Sequence, residues 1–268
     1  MPYLFDHLDI IGEALRRSPF GLMTDIDGTI SPIAPTPQAA AVSPLCRRYL
    51  GRLARRLPLV AALSGRPVRQ VREMLQIRGV VCIGNHGMER WRRGRRQVTP
   101  AVRPYLPVIR AVIRELSPLE AIEGLWIEDK EISASLHYRL CPRPEAARQA
   151  ILAALEGSPL ARGLRIQEQR RAIELLPPVA VDKGTAVRGL IEEYRLQGAV
   201  YLGDDTTDVD AFRAVHAAVG ADFRGYALGV INPETSSQLL AEADFSLDGV
   251  ADVERFLRWL TENVPPPG

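Results

Sequence analysis

Short apolar runs alternate along this chain with stretches whose apolar residues recur at helical spacing, the pattern of strands joined by helical crossovers in a parallel sheet. Residues 20–26 form the first predicted strand. Ser43 and Pro44 stand as N-cap and first helical residue ahead of Leu45, Tyr49 and Leu53, an apolar stripe at helical spacing. A strand over 59–63, a helix over 67–75 and a strand over 80–84 follow. The rhythm then changes: Pro100, Pro104 and Pro107 open a segment with a helix over 108–116, a strand pair within 125–138, a second helix over 144–155 and extended chain over 164–176. Alternation resumes with a helix over 183–194, a strand over 200–202, a helix over 209–219 and a strand over 227–231. A last helix over 250–260 carries Val253, Phe256, Leu257 and Leu260 on one face. The reading is an α/β chain: a core of residues 1–100 and 178–268 with a parallel sheet, and an α/β cap over 101–177 inserted into it. Residues 265–268 are expected to fray.

Composition narrows the function classes. A hydrophobic share of 46% and a charged share of 25% are those of an ordinary globular protein. The net charge of +2 gives no electrostatic case for a nucleic-acid binder. Arg90, Arg92, Arg93, Arg95 and Arg96 crowd around Trp91 and Gly94; we read them as a solvated hairpin tip between two strands rather than a patch for an anionic partner. Cys46, Cys82 and Cys141 are far apart and odd in number, so neither a disulfide framework nor a zinc site is indicated, and a reducing cytoplasm fits best. Residues 1–17 carry Asp6, Asp9 and Glu13 and lack the apolar run of a secretory signal. No run is long enough to span a bilayer, so no membrane association is expected.

The chemistry gathers at predicted strand ends. Asp25 and Asp27, two apart in extended chain, face the same side and can address one substrate; Gly28 lets the chain turn sharply after them. Acids in this place also serve as helix caps. Ser64, Gly65 and Arg66 end the next strand with a hydroxyl and helix-terminal amides suited to phosphate oxygens, although a plain N-cap looks the same. Lys183 opens a core helix, where the dipole alone would favour an acid; an ammonium there can hold the charge of a carboxylate nucleophile and a transferring phosphoryl group. Asp204, Asp205 and Asp208 put three carboxylates into five residues, which calls for a hard cation such as magnesium. A helix-capping cluster and the aspartate-rich metal motif of an all-helical prenyl-chain enzyme are the other readings of that cluster, and the flanking strands argue against the second.

In this order, Asp25-x-Asp27, Ser64, Lys183 and Asp204-Asp205 resemble the four motifs of haloacid dehalogenase-type phosphatases. Over residues 20–260 the chain further resembles the trehalose-6-phosphate phosphatase family. The matching stretches are Leu63-Ser64-Gly65-Arg66, Gly84-Asn85-His86-Gly87-Met88-Glu89, Glu128-Asp129-Lys130, His137-Tyr138-Arg139, Glu174-Leu175-Leu176-Pro177, Lys183-Gly184 and the run from Gly203 to Asp208. The resemblance implies a Rossmann-like haloacid dehalogenase core whose cap closes over a disaccharide phosphate. It implies Asp25 as nucleophile and Asp27 as acid and base. It implies a magnesium ion held by Asp25, Asp204 and the carbonyl of Asp27, with Asp205 and Asp208 in support. Ser64, Gly65 and Lys183 would bind phosphate, and Glu128, Lys130 and Glu174 the sugar, with Arg66 and His86 assigned to the same substrate.

For Glu128 and Lys130 a surface ion pair is the other reading, and for His86 a side chain satisfied by its own turn. His7 and His216 read as structural. Two positions depart from the family pattern: Val209 replaces a glutamate after the metal motif, and Leu176 stands where arginine is common. The remaining alternatives are a capped phosphatase for sucrose phosphate or mannosyl-phosphoglycerate, and a catalytically silent partner of a trehalose-phosphate synthase; association with such a synthase is the one macromolecular partnership expected.

Overall fold

The computed structural model describes residues 1–92, 94–169, 171–233 and 235–264; Arg93 of the basic turn and the tail 265–268 lie outside them. Its strands are β1 (Phe20–Thr24), β2 (Leu59–Leu63), β3 (Val81–Gly84), β4 (Glu89–Arg92), β5 (Arg95–Val98), β6 (Trp126–Asp129), β7 (Ala134–His137), β8 (Arg165–Gln169), β9 (Ala172–Leu176), β10 (Gly198–Gly203), β11 (Arg224–Ile231) and β12 (Phe245–Asp248). The helices are α1 (Leu8–Leu15), α2 (Pro44–Leu53), α3 (Val68–Leu75), α4 (Leu106–Leu116), α5 (Pro144–Gly157), α6 (Lys183–Glu193), α7 (Val209–Ala218), α8 (Ser237–Glu242) and α9 (Gly249–Asn263). Two compact units result, 1–97 with 181–268, and 98–180. Among the described residues no helix is long and apolar enough to cross a membrane.

The first unit is built on a sheet ordered β12-β11-β10-β1-β2-β3-β4-β5. From β12 to β3 every pairing is parallel, and β4 turns back antiparallel on β3. Every residue of β1, β2 and β10 is buried, because helices cover both faces of a parallel sheet and leave no polar side. On one side, β1, β10 and β11 pack with α2, α3 and α9, including Val253, Phe256, Leu257 and Leu260. On the other, α6 and α7 contribute Val187, Leu190, Phe212 and Val215.

Helix α2 begins as expected: the Ser43 hydroxyl accepts from the backbone N–H groups of Leu45 and Cys46. Its buried face is Cys46, Leu50 and Leu53, whereas Leu45 is exposed. The expected stripe is therefore rotated by one residue over the first turns, because Cys46 packs as a small hydrophobe.

The arginine-rich stretch forms the strands of the β4–β5 hairpin themselves. Arg90 and Arg92 reach Glu193 at 2.9 and 3.1 Å, Arg72 stacks over the Trp91 ring at 3.8 Å, and Arg96 pairs with Glu89.

The second unit is a four-stranded antiparallel sheet, β6-β7-β9-β8. Ala134, Leu136, Ile173 and Leu175 pack against Ile109, Val112 and Leu116 of α4 and Ile151 and Leu155 of α5. Strand alternation turns the intervening residues to the opposite face. There the register sets Glu128, Ser135, Glu174 and Gln167 in one row across all four strands, with Trp126 and His137 one pair along.

Candidate active site

Strand order decides which side chains meet. From β1 the chain moves outward through β2 and β3, then returns to β10 on the other side of β1, so the crevice between β1 and β10 is a topological switch point. Asp25 follows β1 and Asp204 follows β10, and Ser64, Asn85 and Asn232 follow β2, β3 and β11 at the same edge. The backbone N–H of Asp25 donates to the Leu202 carbonyl at 2.8 Å, extending the β1–β10 pairing by one residue up to the crevice.

Asp25, Asp204 and Asp208 are all buried, and each offers an oxygen within 4.8 Å of the others. Lys183, 3% exposed at the start of α6, donates to Oδ1 of Asp25 and to Oδ1 of Asp208, each at 2.7 Å. A capping box between Asp182 and Thr185 satisfies the α6 amino terminus, while the Lys183 side chain, a donor that could not cap it, turns inward to the acids. Asp208 is held from several sides: besides Lys183 it accepts from the Tyr201 hydroxyl at 2.7 Å and from the N–H groups of Asp204 and Asp205, both at 3.2 Å. Asp204 accepts from the Thr29 hydroxyl at 3.3 Å and from Asn232 Nδ2 at 3.2 Å. Gly28, at φ +86°, lets this crowding occur, since a Cβ there would stand 2.0 Å from Asp204 Oδ2.

Three buried carboxylates share one crevice, and two of them accept from the Lys183 ammonium. Burial pushes the Asp25 carboxyl well above its ordinary range, Lys183 draws it back, and Asp208 and Asp204 raise it further. For Lys183 burial opposes the charge, but the carboxylates of Asp208 and Asp25 outweigh it and hold the pKa above its usual value. Burial and the adjoining Asp208 raise the Tyr201 phenol well above the usual range. Hard oxygen donors, close spacing and an excess of negative charge together fit a divalent cation.

The other expected residues are distributed as follows. Both oxygens of Asp27 accept from Arg66, at 2.6 and 2.8 Å, so this carboxylate is turned to the Ser64–Arg66 loop. Asp205 caps the turn after it, accepting from the Thr206 N–H at 2.7 Å, and is not among the three clustered acids. The buried Ser64 Oγ accepts from the Arg66 N–H at 3.1 Å. His86 donates its backbone N–H to the Ser64 carbonyl at 3.0 Å, and a Cβ on Gly65 would stand 2.6 Å from its ring. In the second unit Lys130 Nζ donates to Glu174 at 2.8 Å, while Glu128 lies 3.0 Å from His137 Nε2, whose ring stacks on Trp126. Val209 and Leu176, the two departures, are buried apolar residues.

Tyr201 and Asn232 entered no sequence expectation. A phenol in an otherwise apolar strand needs a partner, which is a readable signal for Tyr201. Asn232 carries no such mark until β11 is set beside β10.

A Rossmann-like parallel sheet with buried acids astride its switch point, carrying an inserted α/β unit, defines the haloacid dehalogenase type of fold. The C-terminal domain of a C. albicans trehalose-6-phosphate phosphatase shares it, with TM-score 0.81 at 21% identity over 97% of this chain and 98% of that one. The trehalose-phosphatase family profile matches residues 23–245, and the chain belongs to that family. A trehalose-phosphate phosphatase of Mycolicibacterium paratuberculosis is 34% identical over 90% of this chain, which spans 61% of that relative's length. Trehalose-phosphate phosphatase B of Arabidopsis thaliana is 27% identical over 97% of this chain and 71% of its own length.

Proposed function

We propose that this chain hydrolyses trehalose 6-phosphate to trehalose and inorganic phosphate through an aspartyl phosphate on Asp25, with magnesium as cofactor. The observation that carries the reading is Asp25 meeting Lys183, Asp204 and Asp208 at the switch point of a chain that belongs to the trehalose-phosphatase family.

An Asp25 oxygen attacks phosphorus, the bond from phosphorus to the sugar oxygen breaks, and the departing oxygen takes a proton from Asp27. Water then attacks the acyl phosphate with Asp27 as base, releasing phosphate and restoring Asp25. Asp27 is held by Arg66 through both oxygens, so each proton transfer begins with Arg66 yielding one of them. An arriving phosphoryl group offers Arg66 a second anion and so favours that exchange. Ser64, Gly65 and Lys183 hold the transferring oxygens, where most phosphoryl-transfer catalysis resides. Asp25, Asp204 and Asp208, with the Asp27 carbonyl, would hold magnesium, and Asp205 supports that loop. Bound magnesium supplies the positive charge that lets an anionic carboxylate approach an anionic phosphate.

The second unit we assign as a specificity cap, with Glu128, Lys130 and Glu174 reading sugar hydroxyls and His86 and Arg66 contributing from the first. Its polar row supports this, because a polyol is selected by donors and acceptors at fixed positions. Leu176, apolar where the family commonly carries arginine, favours the second reading, another glycosyl phosphate such as sucrose phosphate or mannosyl-phosphoglycerate. We place the protein in a reducing cytoplasm, in keeping with its three buried free thiols, with a trehalose-phosphate synthase as a partner that co-purification would reveal.

Phosphate release across a panel of sugar phosphates tests the assignment. Trehalose 6-phosphate is expected to exceed its competitors in kcat/KM by roughly a hundredfold or more, and a chelator should abolish turnover. Preference for another glycosyl phosphate would transfer the assignment to it, and turnover indifferent to chelation would remove the magnesium chemistry.

A further inference from the structure

Glu89 is 1% exposed and has no place in the chemistry above. One oxygen accepts from the backbone N–H of Val68 at 2.9 Å and from Asn85 Nδ2 at 2.6 Å, and the other pairs with Arg96. Val68 is the first residue of α3, whose N-cap is Pro67, a residue with no side chain able to accept. Glu89 therefore satisfies the helix start from outside, at the end where negative charge is favoured.

The turn that Glu89 anchors has an unusual backbone. Asn85, His86 and Gly87 are consecutive at φ +48°, +55° and +106°. A run of this kind persists only where its surroundings over-determine it. Here the Asn85 N–H donates to the Arg66 carbonyl at 2.9 Å and the His86 N–H to the Ser64 carbonyl at 3.0 Å, so the turn grips the phosphate loop by its backbone. Two close approaches reinforce it. A Cβ on Gly84 would stand 2.4 Å from the Val68 nitrogen, and one on Gly87 would stand 2.6 Å from the carbonyl oxygen of Asp182, the residue before Lys183.

We propose that Glu89 is a positioning residue for phosphoryl transfer: with Arg96 as counterion, it pins the 85–87 turn to the first residue of α3 and thereby fixes the loop of Ser64 and Gly65 and its spacing from Lys183. The proposal rests on the reading that Ser64 and Gly65 hold the transferring oxygens. It also gives one arginine of the basic hairpin a task.

The test uses the full chain with magnesium and trehalose 6-phosphate. Displacing a phosphate loop by about an ångström costs up to about a hundredfold in rate, so Glu89→Ala should lower kcat by roughly tenfold to a hundredfold. Inhibition by inorganic phosphate should weaken in parallel, while inhibition by trehalose, which lacks the phosphate, stays unchanged. In a Ser64→Ala background the same change should cost only about twofold more, because both act on one contact. The neutral pair Glu89→Gln with Arg96→Gln should recover most of the activity lost in Glu89→Gln alone. If Glu89→Ala does not fold, Asn85→Gly, which deletes the turn's side-chain donor to Glu89 and suits the positive φ there, takes its place in the kcat, inhibition and Ser64→Ala comparisons. A folded variant with unchanged kcat and phosphate inhibition, or losses that simply multiply with Ser64→Ala, would overturn the proposal. A Ser64→Ala variant with undiminished turnover would instead remove the reading beneath it.

Discussion

Lys183 lies at the amino end of α6, 3% exposed, between two carboxylates 2.7 Å away on either side. A lysine at that end of a helix works against the dipole, and its place is explained by the two buried acids to which it donates, Asp25 and Asp208. Removing one partner from a buried ionic group leaves the others uncompensated and typically costs about 3–5 kcal/mol. Lys183→Met should therefore unfold at markedly lower urea concentration than the parent in the absence of metal, as well as losing activity. A variant of parental stability would mean that Lys183 does not balance this cluster.

At the scale of elements, His216 on α7 lies 3.0 Å from Asp244, which also accepts from the Ala227 N–H at the heart of β11 and so ties that helix to the sheet. The hydrogen bond to Asp244 raises the His216 pKa above its ordinary 6.5, against the opposing effect of burial. A raised folded-state value means that the pair's contribution to stability is fully present below the unfolded pKa and fades as pH rises through the folded one. An NMR titration of His216 should place its midpoint above 6.5, and a midpoint at or below it would contradict the pairing.

Legibility in the sequence follows a similar line. Strand β2 lies where expected and β1 ends two residues early, since apolar runs buried on both faces are hard to misread. The short edge strand β12, which carries Ser246 and Asp248, and the six-residue helix α8 have no counterpart among the predicted elements. In the site, Asp25, Lys183 and Asp204 are written at strand and helix ends, where spacing shows them. Tyr201 is legible as a phenol in an apolar strand whose partner, Asp208, lies seven residues on, whereas Asn232 and the clamp around Glu89 depend on which elements become neighbours, which local pattern does not record.

For the molecule as a whole, the proposed function assigns the chemistry to the first unit and selection of the sugar to the second. Glu128, beside His137 in the polar row of the second sheet, lies in the unit proposed as the specificity cap. Glu128→Ala should then reduce kcat/KM for trehalose 6-phosphate far more than for a small aryl phosphate, which presents no sugar hydroxyls. Equal losses on both substrates would assign Glu128 a general role in folding or catalysis.

The proposed nucleophile can be tested directly. Rapid acid quench of the magnesium-loaded protein turning over trehalose 6-phosphate, followed by peptide mass spectrometry, should find a phosphoryl group on Asp25 and none in an Asp25→Asn variant that remains folded. A phosphoryl group on another side chain, or steady turnover in Asp25→Asn, would contradict the account at its centre.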